Sequence, residues 1–323
     1  MPKPFAPVRE TRAQNLLLNW TLTGGEVPGS GGKPAFTLYQ PAHPAMPVLI
    51  AAPHGGRDYA PALQTGLRNP GQIAHRLEDR HIDSLALEVA RACGASLLVA
   101  HAPRALIDLN RGIEDMDWSM VHGADRSAAR PAQTAMTRRA ATGLGLVPRR
   151  LAMTGEVWKA PLALRDVEER MALVHRPYHA ALGEALRDIH RHWGAALLID
   201  LHSMPPLKSA GEPVHYVIGD LFGASCGEEL VSAALSWLSG QRQPVAHNRP
   251  YAGGYVLDRH GLPWQGIHAM QIEVCRSLYL DPHHRDLTGG IVDVAAVLTG
   301  LVRTLAGVTI DSVQAGPSVL AAE

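Results

Sequence analysis

A chain of 323 residues, 46% hydrophobic and 19% charged, is long enough to bury a large core without disulfides or a metal staple. Thirty basic against thirty acidic side chains give a formal charge of zero, which excludes a global pull toward nucleic acid or an anionic membrane. Three scattered cysteines (Cys93, Cys226, Cys275) cannot form a disulfide framework and point to a reduced, cytoplasmic setting. The N-terminus has no apolar leader, and no apolar run is expected to reach the ~18 residues of a membrane span. Seventeen histidines beside only 5% aromatics raise the question of metal or proton chemistry.

Residues 1–34 are polar and rich in Gly and Pro, and read as an irregular lead-in. Ala35–Tyr39 and Pro47–Ala52 are short apolar runs bounded by prolines, which suits strands. The second runs into Pro53-His54-Gly55-Gly56-Arg57-Asp58, a polar loop at the kind of strand end where open α/β sheets place ligands. A helix is expected to begin near Glu78-Asp79, with Ile82, Leu85 and Val89 on its buried stripe. Ala95–Ala100 and Ala105–Leu109 read as further strands. From Gly112 to Leu162 the pattern weakens. That stretch carries Arg126, Arg130, Arg138, Arg139, Arg149 and Arg150, and reads as an insertion that is either a lid or a solvated surface segment.

Asp166 to His192 forms a long amphipathic helix, open to interruption at Arg176-Pro177 and stopped by Gly194. Ala195–Leu201 is a buried strand leading directly into His202-Ser203. Val214–Ile218 and Gly266–Cys275 are strands, and Glu228–Leu238 and Gly289–Leu305 are helices. Alternating strands and helices predict a single α/β domain over 35–305, with a central mixed, mostly parallel sheet flanked by helices and a tail at 306–323.

Three strand ends repeat one format, an apolar run followed by polar residues: His54 after PVLIAA, Asp200 and His202 in LLIDLHS, and Glu273 in AMQIEV. Imidazoles and carboxylates at one sheet edge suit a zinc site that keeps a position for water, although neither HExxH nor CxxC is present. The plainer alternative is that each histidine simply bonds its own loop. Glu273 inside an apolar run needs a cation such as Arg276, or else does proton work at a raised pKa. In Asp108-Leu109-Asn110-Arg111, the amide and guanidinium can grip a carboxylate, or the Asp and Arg can close a turn. Arg104 can face a developing oxyanion or be an ordinary surface arginine.

The order of motifs adds to these readings. PHGG, Asp79-x-His81-x-Asp83, Arg104-x-x-x-Asp-Leu-Asn-Arg, His175-Arg-Pro-Tyr-His179, Asp200-Leu-His202-Ser203, Asn248-Arg-Pro-Tyr-x-Gly253-Gly254-Tyr255 and Gln271-x-Glu273 together resemble the N-formylglutamate amidohydrolase family, from about Pro47 to Leu280. The resemblance implies a zinc carboxypeptidase-like (phosphorylase/hydrolase-like) fold, one zinc ion, and hydrolysis of an N-formyl or related N-acyl amino acid, with a place in histidine breakdown. It implies His54 and His202 as ligands. Where the carboxypeptidase pattern has a ligating glutamate this chain has Arg57, so the third ligand comes from elsewhere: Asp79 is preferred, with Asp83 and Asp58 as rivals. Glu273 is implied as general base and acid, Arg104 as oxyanion partner, and Asn110 and Arg111 as holders of the α-carboxylate. The substrate's second carboxylate needs a further cation, for which Arg57, Arg149, Arg150 and Arg259 are candidates. Deacylation of another N-acyl amino acid or small peptide, or binding without catalysis, are the competing functions. Scarce aromatics and balanced charge argue against nucleic acid as partner. The oligomeric state is left open.

Overall fold

The computed structural model describes residues 21–41, 43–123, 137–207 and 213–314; Arg126 and Arg130, residues 1–20 of the lead-in and residues 315–323 of the tail lie outside them. The described chain is built on one eight-stranded sheet. Its strands are β1 (Thr21–Gly24), β2 (Phe36–Tyr39), β3 (Val48–Ala52), β4 (Ser96–Ala100), β5 (Ala196–Met204), β6 (Tyr216–Gly219), β7 (Val245–His247) and β8 (Ile267–Cys275). Their spatial order is β1-β2-β4-β3-β5-β8-β6-β7. The central four, β4, β3, β5 and β8, run parallel, whereas β1 and β2 are antiparallel on one flank and β6 is antiparallel to β8 on the other. Central parallel strands are covered on both faces, and so read as continuous apolar runs rather than alternating ones. The sheet is mixed and mostly parallel, as the sequence implies.

Alternation along each strand splits the core in two. Ile50, Ile199, Leu201, Ile272 and Val274 face one layer, formed with helices α3 (Ile82–Cys93), α6 (Glu228–Gly240) and α8 (Gly290–Gln314). Leu49, Leu198 and Ala269 face the other, formed with α5 (Arg176–Trp193) and α7 (Tyr255–His260), which follow α1 (Pro61–Gly66), α2 (Pro70–Leu77) and α4 (Leu164–Arg170) in the chain. The described part of 112–162 sends Leu146, Val147 and Val157, all fully buried, into this second layer, so it is packed and not a solvated segment.

Several elements differ from expectation. The lead-in contributes edge strand β1, paired to β2 from Thr21↔Tyr39 to Gly24↔Phe36. Ala105–Leu109 is a buried turn, because its amides bond to Pro103 O (Leu106 N, 2.8 Å) and Leu146 O (Asp108 N, 2.7 Å) and not to a ladder; a short apolar run does not by itself separate the two. Helix α3 starts at Ile82, not at Glu78, because Asp79 N bonds back to His54 O (3.0 Å) and His81 takes a left-handed conformation (φ 58°). Helix α8 runs on to Gln314, beyond the Leu305 boundary. With a mean hydropathy of 1.8 over its most apolar window it is long and apolar enough to span a membrane, contrary to expectation; here it buries Val294, Leu298, Leu301 and Leu305 in the layer it shares with α3 and α6.

The helix expected over Asp166–His192 is continuous but passes through a π turn at Met171–His175. The cause is Pro177, which has no N–H for the carbonyl of Leu173. Glu26 N fills that role at 3.0 Å. Gly194, in a left-handed conformation (φ 82°), ends α5 by donating to His190 O.

Candidate active site

The period of two within a strand builds the reactive edge. In β5, Asp200 and His202 project to the same face; in β8, paired in parallel register, Gln271 lies beside Asp200 and Glu273 beside His202. His202 is therefore inside β5 and not in the loop beyond it. His54, just past β3, comes alongside, with its ring centroid 4.7 Å from that of His202. Asp79 arrives from the segment that hooks back before α3.

Asp79 Oδ2 stands 3.0 Å from His202 Nδ1 and 3.5 Å from His54 Nδ1, and one ligand atom from each of the three residues lies within 4.8 Å of the others. The far nitrogen of each ring meets a carboxylate: His54 Nε2 is 2.7 Å from Asp108 Oδ1, and His202 Nε2 is 2.9 Å from Asp200 Oδ2. Protons on both Nε2 atoms turn the Nδ1 lone pairs toward Asp79, so three acceptors converge. His54 Nδ1 is buried with no hydrogen-bond partner among the described residues. An orphaned imidazole nitrogen aimed at a carboxylate and a second imidazole is the donor set for a divalent cation such as zinc. The rivals of Asp79 are engaged elsewhere: Asp83 takes both ends of Arg57 (2.9 and 2.7 Å), and Asp58 pairs with Lys33 (3.1 Å).

The electrostatics of the cluster are one-sided. When a proton rather than a cation sits between the rings and Asp79, hydrogen bonding from His202 and His54 outweighs burial, which alone would raise Asp79, and holds its carboxyl well below the usual range. Burial pulls His202 down, and the carboxylates of Asp200, Asp79 and Glu273 reverse this and hold it well above its ordinary pKa. Arg276 steadies Asp79 from behind, donating from Nη2 to Oδ1 (2.9 Å) and to Glu78 O (2.7 Å). It does not pair with Glu273, the first of the cations that the plainer reading of that residue offers. The partner of Glu273 is Gln271, whose Nε2 donates to Oε1 at 3.0 Å. Burial pushes the Glu273 carboxyl up to about 7, with His202 pulling it down and Asp79 adding to the rise.

Asp108 is the hub of the adjoining wall. Besides His54 it accepts from Arg104 Nε (2.8 Å) and Asn110 N (2.9 Å), with Arg111 Nε at 3.9 Å. Burial opposes its ionisation, but Arg104, His54 and Arg111 outweigh burial and hold its carboxyl well below normal. Asn110 Oδ1 accepts from Val256 N (2.9 Å) at the start of α7, while its Nδ2 lies 3.4 Å from Gln271 Oε1, a long contact. Gly254 is needed here, since a Cβ would fall 2.4 Å from Asn110 Oδ1. Arg111 donates to Leu144 O and Asn110 O. The candidate cations fall away from this wall: Arg57 is on Asp83, Arg149 on Asp117 (2.9 Å), Arg259 on the Tyr255 phenol (2.7 Å), and Arg150 is exposed.

Reasoning from sequence did not assign Gln271, Tyr251 or the histidines behind the wall. Burial and the charge of Glu273 push the half-buried Tyr251 phenol up, while Arg276 and Arg104 pull it down. His175 Nε2 donates to Arg111 O (2.8 Å), and His179 Nδ1 lies 3.1 Å from His260 Nε2. Burial lowers the pKa of all three, His260 to about 3, so they brace the Arg111 turn as neutral rings. The only signal for them lies in the motifs His175-Arg-Pro-Tyr-His179, Asn248-Arg-Pro-Tyr251 and Gln271-x-Glu273, and none of these holds His260.

A mixed α/β sheet whose parallel strands deliver two imidazoles, a carboxylate and a buried glutamate to one edge defines a hydrolase acting on amide bonds. Within that class, the chain belongs to the N-formylglutamate amidohydrolase family, whose model matches residues 46–280. It is 31% identical over 244 residues to N-formylglutamate deformylase of Pseudomonas aeruginosa, covering 73% of this chain and 83% of that one. To N-formylglutamate deformylase of Pseudomonas putida it is 30% identical over 245 residues, covering 73% and 82%. A solved N-formylglutamate amidohydrolase from Ralstonia eutropha JMP134 shares its structure with a TM-score of 0.76 at 29% identity, over 86% of this chain and 99% of that one.

Proposed function

We propose that this protein hydrolyses the formyl amide of N-formyl-L-glutamate to formate and L-glutamate, using one zinc ion held by His54 Nδ1, Asp79 Oδ2 and His202 Nδ1. The observation that carries the reading is the convergence of these three acceptor atoms, with His54 Nδ1 unpartnered, beside a buried glutamate. When bound, a dication there supplies positive charge that acidifies water and polarises the amide oxygen.

The protein's own residues do the rest. Glu273, held by Gln271, accepts one proton from the attacking water and passes it to the departing amine; the second stays on the formic acid and then goes to the amine, so one water is consumed and the products are formate and the ammonium form of glutamate. Asp108 and Asp200 fix the tautomer of the two imidazoles. Arg104, anchored through Nε on Asp108 with a side chain 18% exposed, turns its remaining donors to the oxygen that gains charge. Arg111 and the weakly engaged Nδ2 of Asn110 hold the α-carboxylate and orient the amide.

The test is formate release from a panel of N-acyl amino acids by metal-loaded and chelator-treated protein. Zinc-dependent turnover fastest on N-formyl-L-glutamate is the expected result. Equal turnover after complete metal removal, or preference for another acyl group, refutes the reading.

A further inference from the structure

The proposed substrate has a second carboxylate, on its side chain, and of the four arginines that the sequence offers for it Arg57, Arg149 and Arg259 are paired elsewhere and Arg150 is exposed. Arg139 is different. It sits in the short helical turn Arg138–Ala141 of the 112–162 insertion, with a side chain 43% exposed. Both of its contacts are long: Nη2 is 3.5 Å from Gly253 O, and Nη1 is 3.9 Å from Asp115 Oδ2. Asp115 already accepts from Thr137 Oγ1 (2.7 Å) through one oxygen and from Gly112 N (3.3 Å) through the other. Arg139 is thus held in place without a short ionic partner among the described residues.

Its position ties it to the wall beside the metal ligands. Gly253 opens the loop that packs on Asn110, through Val256 N to Asn110 Oδ1 and Tyr255 N to Asn110 O (3.4 Å). Arg139 is close enough to Arg111 for its charge to act on it, as the charge of Arg104 also does. Arg104, Arg111 and Arg139 therefore crowd together against the carboxylates of Asp108 and Asp115, and Asp108 also serves His54. Arg104 is further balanced by Asp79 and Glu273, so the least covered charge of the three is Arg139, whose carboxylate among the described residues, Asp115, stands 3.9 Å away. An α-carboxylate on Arg111 therefore leaves Arg139 for a second carboxylate.

We propose that Arg139 is a specificity-determining residue that binds the side-chain carboxylate of a dicarboxylic N-acyl amino acid, next to the α-carboxylate on Arg111. This rests on the reading of the reaction given above. It also gives the insertion a task, selecting the acidic substrate.

The test compares N-formyl-L-glutamate with N-formyl-L-norvaline, which keeps the chain length and lacks the distal carboxylate, using the zinc-loaded full chain. Arg139→Gln is expected to raise KM for N-formyl-L-glutamate about 10- to 100-fold, the scale of a lost charge-assisted hydrogen bond, with kcat little changed. Turnover of the norvaline compound should move by less than about twofold on the same scale. Arg139→Lys is expected to recover part of the loss. Zinc content and thermal midpoint check that both variants are folded, which the exposure and long contacts of Arg139 favour. A second arm measures binding of L-glutamate by calorimetry. Equal losses on both substrates, or an unchanged KM in an active enzyme, overturn the proposal and leave the reaction standing. Absent deformylase activity with L-glutamate binding that weakens in Arg139→Gln refutes the reaction and leaves the subsite standing. Neither activity nor glutamate binding in the wild type overturns both.

Discussion

Asp108 offers the sharpest test of how the site is held, because a single buried carboxylate serves a proposed ligand and two arginines. Its side chain is 1% exposed, with Arg104 and Arg111 at 18% and 15%, so solvent screens these pairs little. Asp108→Asn keeps the shape and an oxygen for His54 Nε2 and Asn110 N, but leaves both guanidinium groups without their counter-charge. Breaking a buried pair in this way costs about 3–5 kcal/mol. The retained oxygen places the expected loss near the lower end, about 3 kcal/mol, against a total of roughly 5–15 kcal/mol for an ordinary domain.

The loss also has a pH signature. The Asp108 carboxyl is held well below its ordinary value in the folded protein. A depressed folded-state pKa contributes stability that is fully present above the unfolded value of about 3.9 and is lost as pH falls through the folded value. Urea unfolding of chelator-treated protein should therefore show a wild-type advantage that is flat from about pH 5 upward and shrinks only below about pH 4. A gap under about 0.5 kcal/mol at pH 7 contradicts the buried-pair reasoning, since that is the scale of an exposed pair. On the metal side, losing the carboxylate behind His54 should weaken zinc binding about 10- to 100-fold in a chelator competition.

Glu273→Gln should retain zinc and lower turnover by about 10²–10⁴-fold, the range for a lost general base; near-normal turnover assigns the proton transfer elsewhere. Burial pushes the Glu273 carboxyl up to about 7, and a bound dication pulls it down, so kcat/KM should rise with pH to a limb at or below that value. Gln271→Leu removes a donor to the charged form and should move that limb upward by about one to two pH units, an outcome read directly from the pH–rate profile. Asp79→Asn should abolish tight zinc binding, whereas Asp83→Asn, which releases only a partly exposed pair with Arg57, should keep the metal and cost about 1 kcal/mol or less. Loss of zinc from both variants, measured as metal per chain, would reinstate Asp83.

The fold was legible where a strand is buried on both faces. VLIAA, SLLVA and ALLIDL carry the parallel centre in their composition, and Gly194 marks the end of α5. It was illegible where a backbone group is satisfied from far away in the chain. Ala105–Leu109 has the composition of a strand, yet its amide at Asp108 bonds Leu146 O, across the insertion. Pro177 announces a disturbance in the helix, but not that the freed carbonyl would be met by Glu26, from a lead-in with no apolar pattern to predict β1.

The same distinction orders the site. Asp200 and His202 share a face by alternation alone, but their registry with Gln271 and Glu273 depends on pairing two strands separated by 62 residues between Met204 and Ile267. Asp79 could be preferred over Asp83 from its motif position; what separates them is that Arg57, standing where a ligating glutamate is expected, claims Asp83 with both nitrogens. In the proposed site, Arg57 thus stands in place of one ligand and occupies a rival ligand, leaving Asp79, which faces the Nδ1 atoms of both histidines. Arg139 shows the opposite limit. Its residue type was visible among the other arginines of the insertion, but the role proposed for it rests on the lack of a short ionic contact among the described residues and on a neighbour, Arg111, with which it shares no local motif. Sequence displays which charges exist, and only the folded chain displays which of them are already spoken for.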